Sequence, residues 1–179
     1  EELDHCLATF DAMLSLTRIE EGQQDLELQP LSLNALCQDL YEMAEAMAES
    51  NGQTLTLSLD EDHSVMGDKY LLFQALFNLV DNAIKYSGEG AKIEIAQQGN
   101  LISIRDNGPG IPDDATERVF DRLVRLDPSR HNKGTGLGLA MSQVIVQEHG
   151  GRLDVHSDLG RGTEFVVGVP KGAGVGGQC

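Results

Sequence analysis

Apolar positions along this chain fall into blocks whose period switches between the helical and the alternating, so most elements can be placed before any other property is considered. Leu3, Leu7, Phe10, Leu14 and Thr17 step by four and by three, the seam of a helix that packs on another helix, and Gly22 stops it. Asp25 to Leu31 reads as a short extended connector. A second helical pattern, Leu33, Leu36, Leu40, Met43 and Met47, follows Pro30 and starts from a cap at Ser32. From Gln53 the period becomes two, with Leu55, Leu57 and Leu59 on one side of a half-buried strand. Val65-Met66 forms a further short strand. A long helix is predicted from about Asp68 to Tyr86 with Leu72, Leu76, Leu79 and Ala83 facing inward. Strands over 92–97 and 101–105 turn at Gly99-Asn100. The Pro, Gly and Asp rich stretch that follows, through Gly134, is too long for an idle connector and reads as a lid. A helix from Leu137 to His149 ends at Gly150-Gly151, strands over 152–157 and 163–169 close the pattern, and Gly172 to Gln178 reads as a disordered tail.

That order predicts an α+β fold: a two-layer sandwich with the helices on one face of a mixed sheet, preceded by a separate helix. The leading helix cannot bury its own seam, so it is expected to pair with a second copy or with a further segment. At 179 residues and 40% hydrophobic, the chain has material for one principal domain and a short appendage. No apolar run approaches the roughly 20 residues that cross a bilayer. A start at Glu1-Glu2-Leu3-Asp4, with neither an initiator methionine nor an export signal, reads as a fragment of something longer.

Charge narrows the ligands. A formal net charge of -16 repels a nucleic-acid backbone, so no nucleic-acid partner is expected. The one basic cluster, Arg118, Arg122, Arg125, Arg130 and Lys133, fits either a small anionic ligand or a solvated loop. Three cysteines, Cys6, Cys37 and Cys179, are odd in number and lack the paired spacing of zinc or redox sites, which fits a reducing compartment.

Candidate chemistry sits on the long helix and in two glycine boxes. Asn78 and Asn82 are one turn apart, and Lys85 and Tyr86 follow at the next turn, so amides, a cation and an aromatic share roughly one face. Buried carboxamides need partners, which a hydrated magnesium ion and a triphosphate would supply, or neighbouring loops alone. Asp106-Asn107-Gly108-Pro109-Gly110-Ile111 leaves a strand, and Lys133-Gly134-Thr135-Gly136-Leu137-Gly138-Leu139 opens a helix. Glycines there let backbone amides approach phosphate oxygens, and the helix start adds a positive dipole end. An aspartate leaving a strand can accept a hydrogen bond from an exocyclic amine such as that of adenine. Neither box alone is decisive, and the second is neither the strand, GxxxxGK(S/T), helix arrangement of a P-loop nor placed directly after a strand as a dinucleotide fingerprint is.

Taken together, Asn78-Leu79-Val80-Asp81-Asn82-Ala83-Ile84-Lys85-Tyr86, the two glycine boxes and Gly162-Thr163-Glu164-Phe165 resemble, in their usual order, the four signatures of the histidine-kinase ATPase superfamily with its Bergerat fold. The resemblance spans about Leu31 to Pro170. It implies ATP and magnesium as cofactors, with Asn78 coordinating the metal, Asn82 and Lys85 contacting phosphates, Tyr86 packing on adenine and Asp106 reading its amino group. By the same likeness Gly108, Gly110, Ile111, Gly134, Thr135, Gly136, Leu137, Gly138, Leu139 and Thr163 line the nucleotide. Val119-Phe120-Asp121-Arg122-Leu123-Val124-Arg125 is similar to the family's phenylalanine box, whose final arginine, Arg125, would reach the terminal phosphate, while Arg122 would join magnesium, Lys85 and Arg125 in neutralising charge. The family usually has an aromatic where Leu123 stands.

Within the superfamily the gyrase, heat-shock chaperone and mismatch-repair branch carries a glutamate, the general base for water, where this chain has Asn78. A carboxamide takes no proton near neutral pH, so the resemblance implies a kinase more than a hydrolase. Leu14 to Gly22, followed by Pro30-Leu31-Ser32-Leu33, is similar to the end of the dimerisation hairpin of sensor kinases. The implied division is 1–24 for the truncated second hairpin helix, 25–32 for a linker, 33–170 for the catalytic ATP-binding domain and 171–179 for the tail. No histidine has the context of a phosphate acceptor: neither His5 nor His63, His131, His149 or His156 matches. The implied setting is a two-component sensor histidine kinase, homodimeric in full length, with a cognate response regulator acting through the dimerisation domain. Its catalytic part would be cytoplasmic and anchored in the inner membrane only through upstream segments. The rival readings are a superfamily ATPase working as a clamp and a degenerate nucleotide-binding interaction module.

Overall fold

The computed structural model describes residues 14–15, 17–19, 21–22, 25–121 and 136–171. In chain order these form β1 (Gln29–Ser32), α1 (Leu33–Ser50), β2 (Thr54–Leu59), β3 (Ser64–Gly67), α2 (Lys69–Ser87), β4 (Lys92–Gln98), β5 (Leu101–Asp106), α3 (Asp113–Thr116), α4 (Gly138–Glu148), β6 (Arg152–Asp158) and β7 (Gly162–Gly168). A five-stranded sheet runs in the order β2-β4-β5-β7-β6. Only the β2–β4 pair is parallel, so the sheet is mixed, as the pattern predicts.

Register sorts the sheet into rows. Leu57, Ile95, Ile104, Phe165 and Val155 lie side by side across all five strands, and so do Leu59, Gln97, Ile102, Val167 and Leu153. Because side chains alternate along each strand, these rows share a face with a third, Leu55, Ile93, Asp106, Thr163 and Ser157. That face carries the buried residues and is covered by α1, α2 and α4, giving the helix layer of a two-layer sandwich. Leu72, Leu76 and Leu79 of α2 are fully enclosed, each worth roughly 2 kcal/mol of burial. The polar row thus stands at one rim of an otherwise apolar interior.

Caps set the helix boundaries. The Ser32 hydroxyl accepts from the Ala35 amide at 3.0 Å, as expected of it. Asp68 caps α2 by accepting from the Leu71 amide at 3.0 Å, and its other oxygen accepts from the Glu27 amide at 3.1 Å. His149, buried at the end of α4, accepts from the Asp68 amide at 3.0 Å and donates from Nδ1 to the Ile145 carbonyl at 2.7 Å. A histidine so enclosed is structural. Gly22, at φ +63°, closes the helix before it through a 3.0 Å bond from its amide to the Ile19 carbonyl.

The structure corrects one expectation and adds detail to two others. The connector over Asp25 to Leu31 is extended, but its last residues form β1 and pair antiparallel with β3. On α1 the buried stripe continues from Leu40 to Ala44 and Ala48, while Met43 is 56% exposed. A period of 3.6 drifts past a strict four-three alternation, and the alanines let the helix lie closer than methionines would. The stretch treated as a lid contains α3, a single turn behind Pro112 with Asp113 and Asp114 at its start. Residues 1–13 and 172–179, which carry most of the leading seam and the tail, lie outside the described residues, as do Cys6 and Cys179.

Candidate functional site

Asp106 is the last residue of β5 and its row points it under the helix layer, half-buried. The Gly108 amide donates to its Oδ1 at 2.8 Å, and the Thr163 amide donates to the carboxylate as well. Burial nevertheless raises its pKa above the ordinary carboxylate range, with those two amides opposing the shift. Gly108 is packed so tightly that a β-carbon there would lie 2.6 Å from the Ser87 α-carbon, which joins the first glycine box to the end of α2. Gly110, at φ +73°, would place a β-carbon 2.1 Å from the Asp158 carbonyl oxygen, so the other end of the box is pressed against the β6–β7 turn. Both glycines are therefore required by close approach.

Ser157 ties that turn to the box. It accepts from the Ile111 amide at 2.8 Å, donates to the Gly162 carbonyl at 2.9 Å and lies 2.8 Å from the Thr163 hydroxyl. Asp106, Ser157 and Thr163 line an open depression of about 690 Å³ that continues past Arg161 onto Arg105, His156 and Glu164 of the opposite sheet face.

On α2, Asn78, Asn82, Lys85 and Tyr86 are half-buried rather than enclosed. Nδ2 of Asn78 donates to the Gly138 carbonyl at 3.2 Å, which sets the predicted metal ligand against the first residue of α4. The buried Ser142 hydroxyl lies 2.8 Å from the Ala75 carbonyl and 3.0 Å from that of Gly138, fastening the same junction. Lys85 forms an ion pair with Asp81 one turn back. Gly136 takes a positive φ of +71°, Leu137 is fully buried, and Gly138 and Leu139 are half-buried at the helix start.

These two clusters are ends of one line. Gly108, whose amide Asp106 holds, meets α2 at Ser87, and α4 meets it at Asn78, nine residues earlier, or about 14 Å along the helix axis. An extended nucleoside triphosphate matches such a span, with an amine acceptor at one end and a helix N-terminus at the other. The donor set also fits magnesium. Magnesium keeps most of its shell as water and substrate phosphate, so a single carboxamide oxygen on α2 could serve it. With its nitrogen engaged by Gly138, Asn78 has Oδ1 to offer, and among the described residues the Asn82 carboxamide has no hydrogen-bond partner.

Arg122, Arg125, Gly134 and Thr135 lie outside the described residues, with Leu123 and Lys133. The start of the phenylalanine box is in place: Val119 is buried, and Phe120 meets Phe165 of β7 edge to face at 6.3 Å. Ser157, Ser142 and Gln53 escaped the sequence reading. Gln53 donates from Nε2 to the Ile84 and Gly88 carbonyls, each at 2.9 Å, and so closes α2 beside Gly108. Only its place just before an alternating run hinted at a structural role.

A family model described as histidine kinase-, DNA gyrase B-, and HSP90-like ATPase matches residues 67–173. The sensor-like histidine kinase SenX3 of Mycolicibacterium smegmatis is 32% identical over 165 residues, covering 89% of this chain and 43% of that protein. The sensor protein SrrB of Staphylococcus aureus is 35% identical over 167 residues, covering 89% and 28%. The chain thus spans less than half the length of these relatives. Among solved structures, full-length ShkA in complex with AMPPNP superposes with a TM-score of 0.81 at 26% identity, covering 93% of this chain and 36% of that one. The nucleotide-free catalytic domain of histidine kinase ThkA gives 0.71 at 30% identity, covering 82% and 97%. ThkA in complex with the response regulator protein TrrA gives 0.74 at 26% identity, covering 95% and 48%.

Proposed function

Since this chain belongs to the histidine kinase-, DNA gyrase B- and HSP90-like ATPases, as the ATP-binding catalytic domain of a sensor histidine kinase, we propose that it holds magnesium ATP along α2 and presents the terminal phosphoryl to a histidine of a dimerisation segment. Asp106 accepts from the adenine amine while Tyr86 packs on the ring. Gly108, Gly110, Ile111 and Thr163 shape the base pocket. Asn82 and Lys85 meet the phosphates, and the second glycine box, Gly134 to Leu139, wraps them at the start of α4. Asn78 would hold magnesium through Oδ1, and the ion supplies charge neutralisation on the phosphate oxygens. Arg122 and Arg125 close on the terminal phosphate from the lid, which leaves positioning and electrostatics as the sources of rate.

The observation that carries this reading is the placement of Asp106 and Asn78 at the two junctions of α2, one against Gly108 and one against Gly138. Asn78 also speaks against the clamp ATPase, because no carboxylate stands there to take a proton from water. The tight seating of Gly108 and Gly110 speaks against a degenerate module.

In the whole protein, residues 1–24 would complete a dimerisation hairpin, 25–32 would link it to the catalytic domain over 33–170, and 171–179 would trail. A homodimer, a cognate response regulator and an inner-membrane anchor upstream of a cytoplasmic catalytic part complete the proposed assembly. Among the described residues no helix is long and apolar enough to cross a membrane. Phosphotransfer from ATP to a supplied dimerisation segment tests the reading: the chain should label the segment and Asn78→Ala should not. Full-rate labelling by Asn78→Ala would remove Asn78 from the metal site.

A further inference from the structure

We propose that Ser157 is a specificity-determining residue: it fixes the Thr163 hydroxyl as an acceptor, so that the wall beside Asp106 selects a 6-amino over a 6-oxo purine. The inference rests on the reading that a purine amine meets Asp106.

Proton counting leads to it. A serine hydroxyl has one proton and two lone pairs. The Gly162 carbonyl, 2.9 Å from Ser157 Oγ, can only accept, so it takes the proton. The Ile111 amide, at 2.8 Å, can only donate, so it occupies one lone pair. Thr163 Oγ1 stands 2.8 Å away in a contact where either oxygen could donate, and with the Ser157 proton on the Gly162 carbonyl the contact is completed by the Thr163 proton. With its proton turned toward Ser157, Thr163 keeps only lone pairs for a ligand. Thr163 is paired with Asp106 across the β5–β7 ladder, and its amide donates to the Asp106 carboxylate. An ionised carboxylate also only accepts. The two residues line the same depression, and Thr163 is buried, so bulk water does not offset a mismatch there.

An acceptor-only wall welcomes the two protons of a 6-amino group and repels the lone pairs of a 6-oxo group. The hydroxyl that enforces this belongs to Ser157, on the edge strand β6, paired with Thr163 across the β6–β7 ladder.

The test is titration of ADP and of IDP, each with magnesium, into the full chain and into Ser157→Ala, with thermal melting run alongside. Ser157→Ala frees the Thr163 proton to meet the 6-oxo group, so the preference for ADP should narrow by about fivefold or more, the worth of one hydrogen bond. Ser157→Thr, which keeps the hydroxyl, should retain the wild-type ratio. Equal weakening of both nucleotides in Ser157→Ala would overturn the inference and leave Ser157 a packing role. A wild-type ratio near one would remove the base from Asp106 and the inference with it. If Ser157→Ala does not fold, Thr163→Val, which deletes the acceptor, must narrow the ratio; an unchanged ratio overturns the proposal.

Discussion

Gly162 and Asp106 meet backbone to backbone: a β-carbon on Gly162 would lie 1.9 Å from the Asp106 carbonyl oxygen, and Gly162 sits at φ +110°. No side chain fits, and the conformation itself disfavours one. Gly162→Ala must therefore part β7 from β5 at the row that carries Asp106 and Thr163. A loss of more than about 2 kcal/mol in urea unfolding is expected, together with weaker nucleotide binding. Unchanged stability would show that the strands can part at no cost.

Burial raises the pKa of Asp106, so the folded chain binds its proton more tightly than the unfolded chain. Ionising Asp106 then works against folding. The stability contributed by the protonated group is fully present below the unfolded value of about 3.9 and is lost as pH rises through the raised folded value. Asp106→Asn should accordingly be more stable than wild type near neutral pH, with the gap closing in acid, while binding ATP worse. Wild-type affinity for ATP should fall as pH drops through the raised value, because a protonated carboxyl is a poorer acceptor for an amine. Denaturant melts and titrations from pH 4 to 8 would read both trends.

Asn78 holds the position at which a carboxylate would activate water. Asn78→Glu should raise phosphate release into water by about a hundredfold, the low end of what a general base supplies, and lower transfer to a histidine segment. Release measured in the absence of the segment separates these effects, and no gain would mean that the lid or the water position also differs from the hydrolysing branch.

Gln53 is buried, and its Nε2 reaches the Ile84 and Gly88 carbonyls and the Ser87 hydroxyl. Gln53→Leu leaves carbonyls at the end of α2 unpaired and should cost about 1–3 kcal/mol in chemical denaturation. Since Gly108 packs on Ser87, ATP affinity should fall with it.

Cys37 lies inside α1, and burial pushes its thiol up to about 12. Little thiolate exists at pH 8. In a chain with Cys6 and Cys179 replaced by serine, a thiol reagent should label Cys37 only as fast as the fold opens, and prompt labelling of the native protein would contradict its burial.

The glycine boxes and Asp106 were legible because each answers a local need that sequence displays: a turn, a close approach, a strand end. Ser32 and Gly22 were legible as caps for the same reason. β1 was not, since its partner β3 lies more than thirty residues on and neither strand is long enough to alternate visibly. Ala44 and Ala48 hid the true stripe of α1 because alanine carries little hydrophobic signal, whereas Met43 carries much and faces water. Ser157, Ser142 and Gln53 act through single hydrogen bonds to distant backbone, and a lone polar residue has no period to betray it.

Calorimetric titration of a non-hydrolysable ATP analogue, with and without magnesium, on this chain and on Asp106→Asn, tests the account most directly. Binding that magnesium strengthens and Asp106→Asn weakens at least fivefold, about the worth of one hydrogen bond, is the predicted result. Failure of the wild-type chain to bind, or equal binding by the variant, would contradict it.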